Sequence, residues 1–259
     1  MSEGRVTFAR DGAIARITLD RPDKLNALTP AMLAELRDAA DRIERDDGIR
    51  VAVLGAAGER AFCVGADIDA WAGADALHIW RHWVRDGHAV FDRTARLRPP
   101  LIAAIEGLAL GGGLELAATA DLRIAGANAA FGLPEADVGV VPGWSGTQRL
   151  VRAVGAAPVK LMALAGERLD AHAAERAGVV HRVVPAGTAL DAALALAARI
   201  AARAPVAVQL TKQLINAAEG EDTAATLEAL ASGVAAGTQD IREGVASFRE
   251  KRPPAFSNR

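Results

Sequence analysis

The sequence predicts an α/β fold with a helical C-terminal region. Short apolar runs of the buried-strand type, at 14–19, 51–54, 101–105 and 122–125, alternate with segments whose apolar residues recur every three to four positions. After residue 191 the strand-like runs stop and four helical patterns follow in succession. With 259 residues, about half of them hydrophobic, the chain has ample material for one large core. The expected organisation is a core over 1–190 and a helical region over 191–259.

Each element has a local cause. The strand at 14–19 is ended by the turn residues Arg21-Pro22-Asp23-Lys24. A helix opens at Thr29-Pro30, because threonine suits the N-cap and proline the first helical position. Met32, Leu33, Leu36, Ala40 and Ile43 form its apolar face. The strand at 51–54 runs into a loop through Gly55 and Gly58. Over 75–97 the pattern is helical, with Trp80, Trp83, Val84, Val90, Phe91 and Leu97 expected on one core-facing side, and Pro99-Pro100 ends it. The C-terminal helices are expected at 190–204, 205–218, 222–236 and 239–251, jointed at Pro205, Gly220 and Gly237.

Composition excludes several function classes. The formal charge is −2, and no basic run interleaves with aromatics, so nucleic acid is not an expected partner. A single cysteine, Cys63, rules out an intrachain disulfide and favours a reducing compartment. Residues 1–5 lack a signal-peptide core. No apolar run reaches the ~18 residues of a membrane span, since the richest stretch, 101–116, is broken by Glu106 and three glycines. The expectation is a cytoplasmic protein with no membrane partner.

Three segments can carry chemistry. In Gly111-Gly112-Gly113-Leu114-Glu115, glycines between an apolar strand and an apolar helix let backbone N–H groups approach a ligand at a helix N-terminus, where negative charge is favoured. Glu115 is then the lone ionisable residue on that helix. A solvated glutamate is the ordinary alternative, whereas a buried one would be a raised-pKa acid or base. Glu135 follows Pro134 on a turn, where capping is the ordinary role. In Cys63-Val64-Gly65-Ala66-Asp67-Ile68 a glycine and a small residue after a strand could expose an amide, and Cys63 itself reads as a small buried hydrophobe. Gly143-Trp144-Ser145-Gly146-Thr147 is a glycine-rich helix entry but not a nucleophile elbow. His78 and His82 stand four apart without the metalloprotease glutamate and with Arg81 between them, so no metal site is expected. No dinucleotide or phosphate-loop fingerprint is present.

Taken in order, these segments resemble the crotonase (enoyl-CoA hydratase/isomerase) superfamily, and its enoyl-CoA hydratases in particular. The resemblance starts at Ile17-Thr18-Leu19-Asp20-Arg21-Pro22 with Leu25-Asn26-Ala27-Leu28, and passes through Phe62 to Asp67 and the triple glycine. It continues at Phe131-Gly132-Leu133-Pro134-Glu135, at Pro142-Gly143 with Gly146-Thr147-Gln148-Arg149-Leu150, and ends at Glu243-Gly244 and Phe248 to Pro253.

The resemblance implies a spiral of ββα units with a C-terminal helical trimerisation region, a homotrimer or dimer of trimers, and an acyl-CoA thioester substrate. It implies no cofactor beyond the coenzyme A carried by that substrate. It also implies that the amides of Ala66 and Gly112 form an oxyanion hole, where fixed donors act on charge that develops in the transition state. Glu115 and Glu135 map onto the two hydratase glutamates. Asp67, Ile68, Gly143, Trp144 and Lys251 map onto substrate-binding positions, Lys251 toward a neighbouring subunit's CoA. Asp69 and Trp144 depart from the usual pattern, which is basic at the first position and small at the second. The expected activity is hydration of a trans-2-enoyl-CoA. The alternatives are another reaction of this superfamily, double-bond isomerisation or C–C bond hydrolysis, or a non-catalytic RNA-binding relative.

Overall fold

A computed structural model describes residues 4–259; the first three residues of the N-terminal stretch read above lie outside it. The chain forms two compact units. The first ends at Gln209, and the second is Leu210–Arg259.

Among the described residues the first unit holds ten strands in two sheets. They are β1 (Arg5–Asp11), β2 (Ile14–Asp20), β3 (Val51–Ala56), β4 (Ala61–Cys63), β5 (Leu101–Ile105), β6 (Leu108–Leu110), β7 (Leu122–Gly126), β8 (Ala130–Gly132), β9 (Leu169–Asp170) and β10 (Arg182–Val184). The larger sheet has the order β1-β2-β3-β5-β7-β10 and the smaller β4-β6-β8-β9. Among the described residues only the pairs β1–β2 and β8–β9 are antiparallel. From β3 to β8 the chain alternates between the sheets, so each turn leaves one strand in each before a helix follows. That is the expected spiral of ββα units.

The helices are α1 (Pro30–Arg45), α2 (Ala76–His78), α3 (Val84–Ala95), α4 (Gly112–Ala117), α5 (Gly146–Val154), α6 (Ala156–Ala165), α7 (Ala171–Arg176), α8 (Ala189–Ala201), α9 (Pro205–Ala218), α10 (Thr223–Ala236) and α11 (Gln239–Glu250). The Thr29 side chain accepts from Met32 N at 3.2 Å, the predicted cap of α1. The large sheet is buried on both faces, as parallel sheets are. Val51, Val53, Ile102 and Ala104 meet Ala189, Ala193 and Ala197 of α8, while Ala52, Leu54, Leu101, Ala103 and Ile105 face the main core. Because α8 is a layer of the sheet, it belongs to the first unit, and the boundary falls inside α9 rather than at 190/191.

One expectation needs correction. The helix expected at 75–97 is present from Ala76 to Ala95, but Ile79–Trp83 forms a π-helical turn between α2 and α3, so its apolar face is not the one expected. The extra residue in that turn rotates the register. Val90, Phe91 and Leu97 are therefore buried while Trp80 is 61 % exposed. The edge strand β1 was not foreseen either, because its residues are at best half-buried and carry little alternation. In the second unit the C-terminal tail returns to α11: Gln239 N donates to Arg259 O at 2.6 Å, and Arg252 pairs with Glu243 at 2.5 Å. No single helix among the described residues is long and apolar enough to cross a membrane.

Candidate active site

The site follows from the small sheet. β4, β6 and β8 run parallel side by side, with Cys63 opposite Ala109 and Leu110 opposite Gly132. Their carboxyl ends therefore release Gly65-Ala66, Gly111-Gly112 and Pro134-Glu135 at one edge, where open α/β sheets bind ligands.

The loop carrying Ala66 is fixed by main chain. Leu28 N donates to Gly65 O at 2.8 Å, and Asp67 N donates to Leu28 O at 2.9 Å. This is a parallel bridge between Leu28 and Ala66, and in such a bridge the amide of the central residue points away from its partner. The Ala66 N–H is thus turned from Leu28. Across the gap, Gly65 leaves only 3.1 Å between its β-carbon position and Gly112 N, so no larger residue brings the two loops this close. Gly112 opens α4, so its N–H has no intrahelical acceptor. Gly111 has φ 52°, which lets β6 turn directly into α4. Asp67 holds its own loop: its carboxylate accepts from Arg21 Nη1 at 2.6 Å and from Asp69 N at 3.2 Å. Arg21 in turn is positioned by Asn26, which is fully buried and accepts from Arg21 N at 2.8 Å.

Glu115, one turn into α4, is 2 % exposed. Its Oε1 accepts from Trp144 N at 3.0 Å and Gly146 N at 2.8 Å. Burial raises its pKa from the ordinary value, against the pull of the Gly146, Trp144 and Gly143 amides and the charge of His88. Gly146 is obligatory, since a β-carbon there would overlap Glu115 Cγ. Glu135 begins a short 3-10 helix, Glu135–Val138, and is half-buried. Its Oε1 lies 2.9 Å from the β-carbon position of Gly111, which places it beside the start of α4. Its Oε2 is buried and has no hydrogen-bond partner. Burial pushes its carboxyl up to about 7, opposed by its own backbone N–H and reinforced by the charge of Glu115.

The structure thus brings Ala66, Gly112, Glu115, Glu135, Gly143 and Trp144 together. Ile68 is 50 % exposed at the start of the following 3-10 turn. Lys251 belongs to the second unit, exposed at the end of α11 with φ 55°. Trp144 is 3 % exposed. Its ring lies 5.1 Å from Phe91 and 5.4 Å from Trp83 between centroids. Cys63 is fully buried with its thiol pushed up to about 12, which fits a small apolar residue and not a nucleophile. Sequence reading missed His88 and Gly87, and gave Arg21 no role beyond its turn. A glycine inside a helical pattern, as at Gly87, is the one signal that pointed there.

The combination of two unpaired loop amides and two neighbouring carboxyls can hold a developing oxyanion and move protons on either side of it. Comparison with known proteins agrees. The family described as enoyl-CoA hydratase/isomerase matches residues 9–259. The short-chain-enoyl-CoA hydratase of Clostridium acetobutylicum is 38 % identical over 100 % of both chains. The (E)-benzylidenesuccinyl-CoA hydratase of Thauera aromatica is 40 % identical over 97 % of this chain and 98 % of its own. Among solved structures, an enoyl-CoA hydratase from Bacillus anthracis superposes with a TM-score of 0.81 at 35 % identity, covering 98 % of this chain and 100 % of the other.

Proposed function

Because the chain belongs to the enoyl-CoA hydratase/isomerase family, we propose that it adds water across the double bond of a trans-2-enoyl-CoA to give the 3-hydroxyacyl-CoA, as a hydro-lyase, with Glu115 and Glu135 as its proton-transfer groups. The observation that carries this reading is the pair itself: a carboxyl only 2 % exposed and tied by two amides, next to a second carboxyl whose pKa burial pushes up to about 7.

The thioester oxygen sits on the Ala66 and Gly112 amides. Water attacks C3 while ionised Glu115 takes its proton, and electron density moves through the conjugated system onto that oxygen. The amides stabilise the resulting enolate. Protonated Glu135 then delivers its proton to C2, so one OH and one H have been added. A proton passed from Glu115 back to Glu135 through solvent restores the pair. Water addition is redox-neutral and both proton carriers are side chains, so the reaction draws on no cofactor other than the substrate's coenzyme A.

Asp67 acts through the loop it fixes, Gly143 through the amides around Glu115, Ile68 through contact with the CoA portion, and Lys251 through contact with a neighbouring subunit's CoA. A trimeric or hexameric assembly is supported by the apolar exposure of the second unit, where Leu227, Val234 and Phe248 are 61 %, 73 % and 86 % exposed. The site of action is the cytoplasm, supported by the single buried thiol. The test is the loss of conjugated enoyl-thioester absorbance when trans-2-butenoyl-CoA is mixed with the enzyme. Loss with formation of 3-hydroxybutanoyl-CoA is expected; an unchanged thioester, or only a shifted double bond, would overturn the assignment.

A further inference from the structure

Trp144 is tied twice to the site. Its backbone N–H donates to Glu115 Oε1 at 3.0 Å, so the residue cannot drift without releasing that carboxylate. Its six-membered ring lies 3.0 Å from the β-carbon position of Gly112, the residue that opens α4. The ring is received by a gap in α3: at Gly87 any β-carbon would fall inside the indole. Glycine in a helix interior costs about 1 kcal/mol relative to alanine, so α3 is weakened at the position where its backbone meets the ring. Trp83 and Phe91, from the π-helical turn and from α3, close around it. The next residue, Ser145, is a non-glycine in the left-handed region at φ 69°, which fixes where the indole leaves the loop.

Resting on the hydration reading, we propose that Trp144 is a specificity-determining residue: its indole, seated against Gly87, closes the space beyond Glu115 and Gly112 and confines the acyl group to short, straight chains. With the thioester oxygen on the Ala66 and Gly112 amides and C3 within reach of water held by Glu115, carbons past C3 must run beyond Glu115. The volume adjoining Glu115 and Gly112 is filled by an indole that is 3 % exposed. A longer tail has to displace a side chain packed on three sides, and overpacking of this kind is costly.

The experiment compares kcat/KM for trans-2-butenoyl-CoA and trans-2-octenoyl-CoA in wild type, Trp144→Ala and Trp144→Phe, with folding followed by thermal unfolding. The wild type should favour butenoyl-CoA. Trp144→Ala should raise the octenoyl-to-butenoyl ratio at least about tenfold, the scale on which a pocket reads single methylenes. Trp144→Phe, which keeps most of the packing, should shift the ratio the same way by less, and carries the test if the alanine variant does not fold. An unchanged ratio in folded variants, or a wild type equally fast on both thioesters, overturns the proposal. If the wild type hydrates neither, the hydration reading fails separately. Calorimetric Kd values for butanoyl-CoA and octanoyl-CoA then decide this proposal: tighter octanoyl-CoA binding in Trp144→Phe supports it, and the same preference as wild type refutes it.

Discussion

Glu115 sits inside α4 with two loop amides on one oxygen and almost no solvent, whereas Glu135 begins a single 3-10 turn with one oxygen unpartnered and part of its surface open. The first environment opposes burial with fixed donors; the second has little but its own backbone N–H to offset burial and a like charge. The difference is the basis of the proposed division of tasks. Burial raises both carboxyls, but only Glu115 has loop amides pulling it back down, which under the proposed mechanism suits Glu115 to proton removal and Glu135 to delivery.

The sharpest way to break the comparison is through the glycines that flank each carboxyl. Gly146→Ala drives a β-carbon into Glu115 Cγ, and a misplacement near 1 Å costs roughly 10²-fold in rate. Gly139, which ends the Glu135 turn at φ 76°, has nothing within 4 Å of its β-carbon position. Gly139→Ala should therefore cost only the ~1–2 kcal/mol of a left-handed residue in stability, with kcat nearly unchanged. Steady-state kinetics and thermal melts on both variants check this contrast; equal losses in kcat would show that the Glu115 environment is not the more tightly built.

A smaller effect is expected in the pH profile. Glu135 carries its proton below about 7 and loses it above, so kcat should fall as pH rises through about 7. The Glu115 charge contributes to that value, so in Glu115→Gln the alkaline limb of the residual rate should lie at lower pH. A limb that stays in place would show that the two groups do not interact.

The smallest effect is on stability. The folded pKa of Glu135, about 7, lies above its ordinary 4.5, so the folded state binds the extra proton and loses relative stability as pH rises from 4.5 to 7. Glu135→Gln removes that loss. At pH 8 the variant should melt higher by about 2–4 °C, corresponding to about 1 kcal/mol after solvent screening, with no difference near pH 4.5. Melting curves at the two pH values show it or do not.

Much of this was legible where local chemistry and tertiary environment agree. Thr29-Pro30 specified the start of α1, and Met32, Leu33, Leu36, Ala40 and Ile43 are all buried as their spacing required. The strand at 101–105 and the joints at Pro205 and Gly237 stand where their residues placed them. The burial of Glu115 was readable as one of two options, because a lone glutamate among Leu and Ala has no local counter-charge. The rest depended on contacts distant in sequence. The π-turn at 79–83 moved Trp80 outward, and no periodicity announces an inserted residue. Asp67 looked available for a ligand until Arg21, 46 residues earlier, was found on its carboxylate. The amides on Glu115 come from 29 and 31 residues later, a pairing that only the ββα spiral creates.

The central claim is that Glu115 and Glu135 divide one proton-transfer task, and it is tested most directly by hydration of trans-2-butenoyl-CoA with Glu115→Gln, Glu135→Gln and the double variant, alongside Kd for butanoyl-CoA. Each single change should lower kcat by roughly 10²–10⁴-fold with Kd little altered, and the double variant should lose far less than the product of the two. Turnover near the wild-type rate in either single variant would contradict the account and remove that residue from the mechanism.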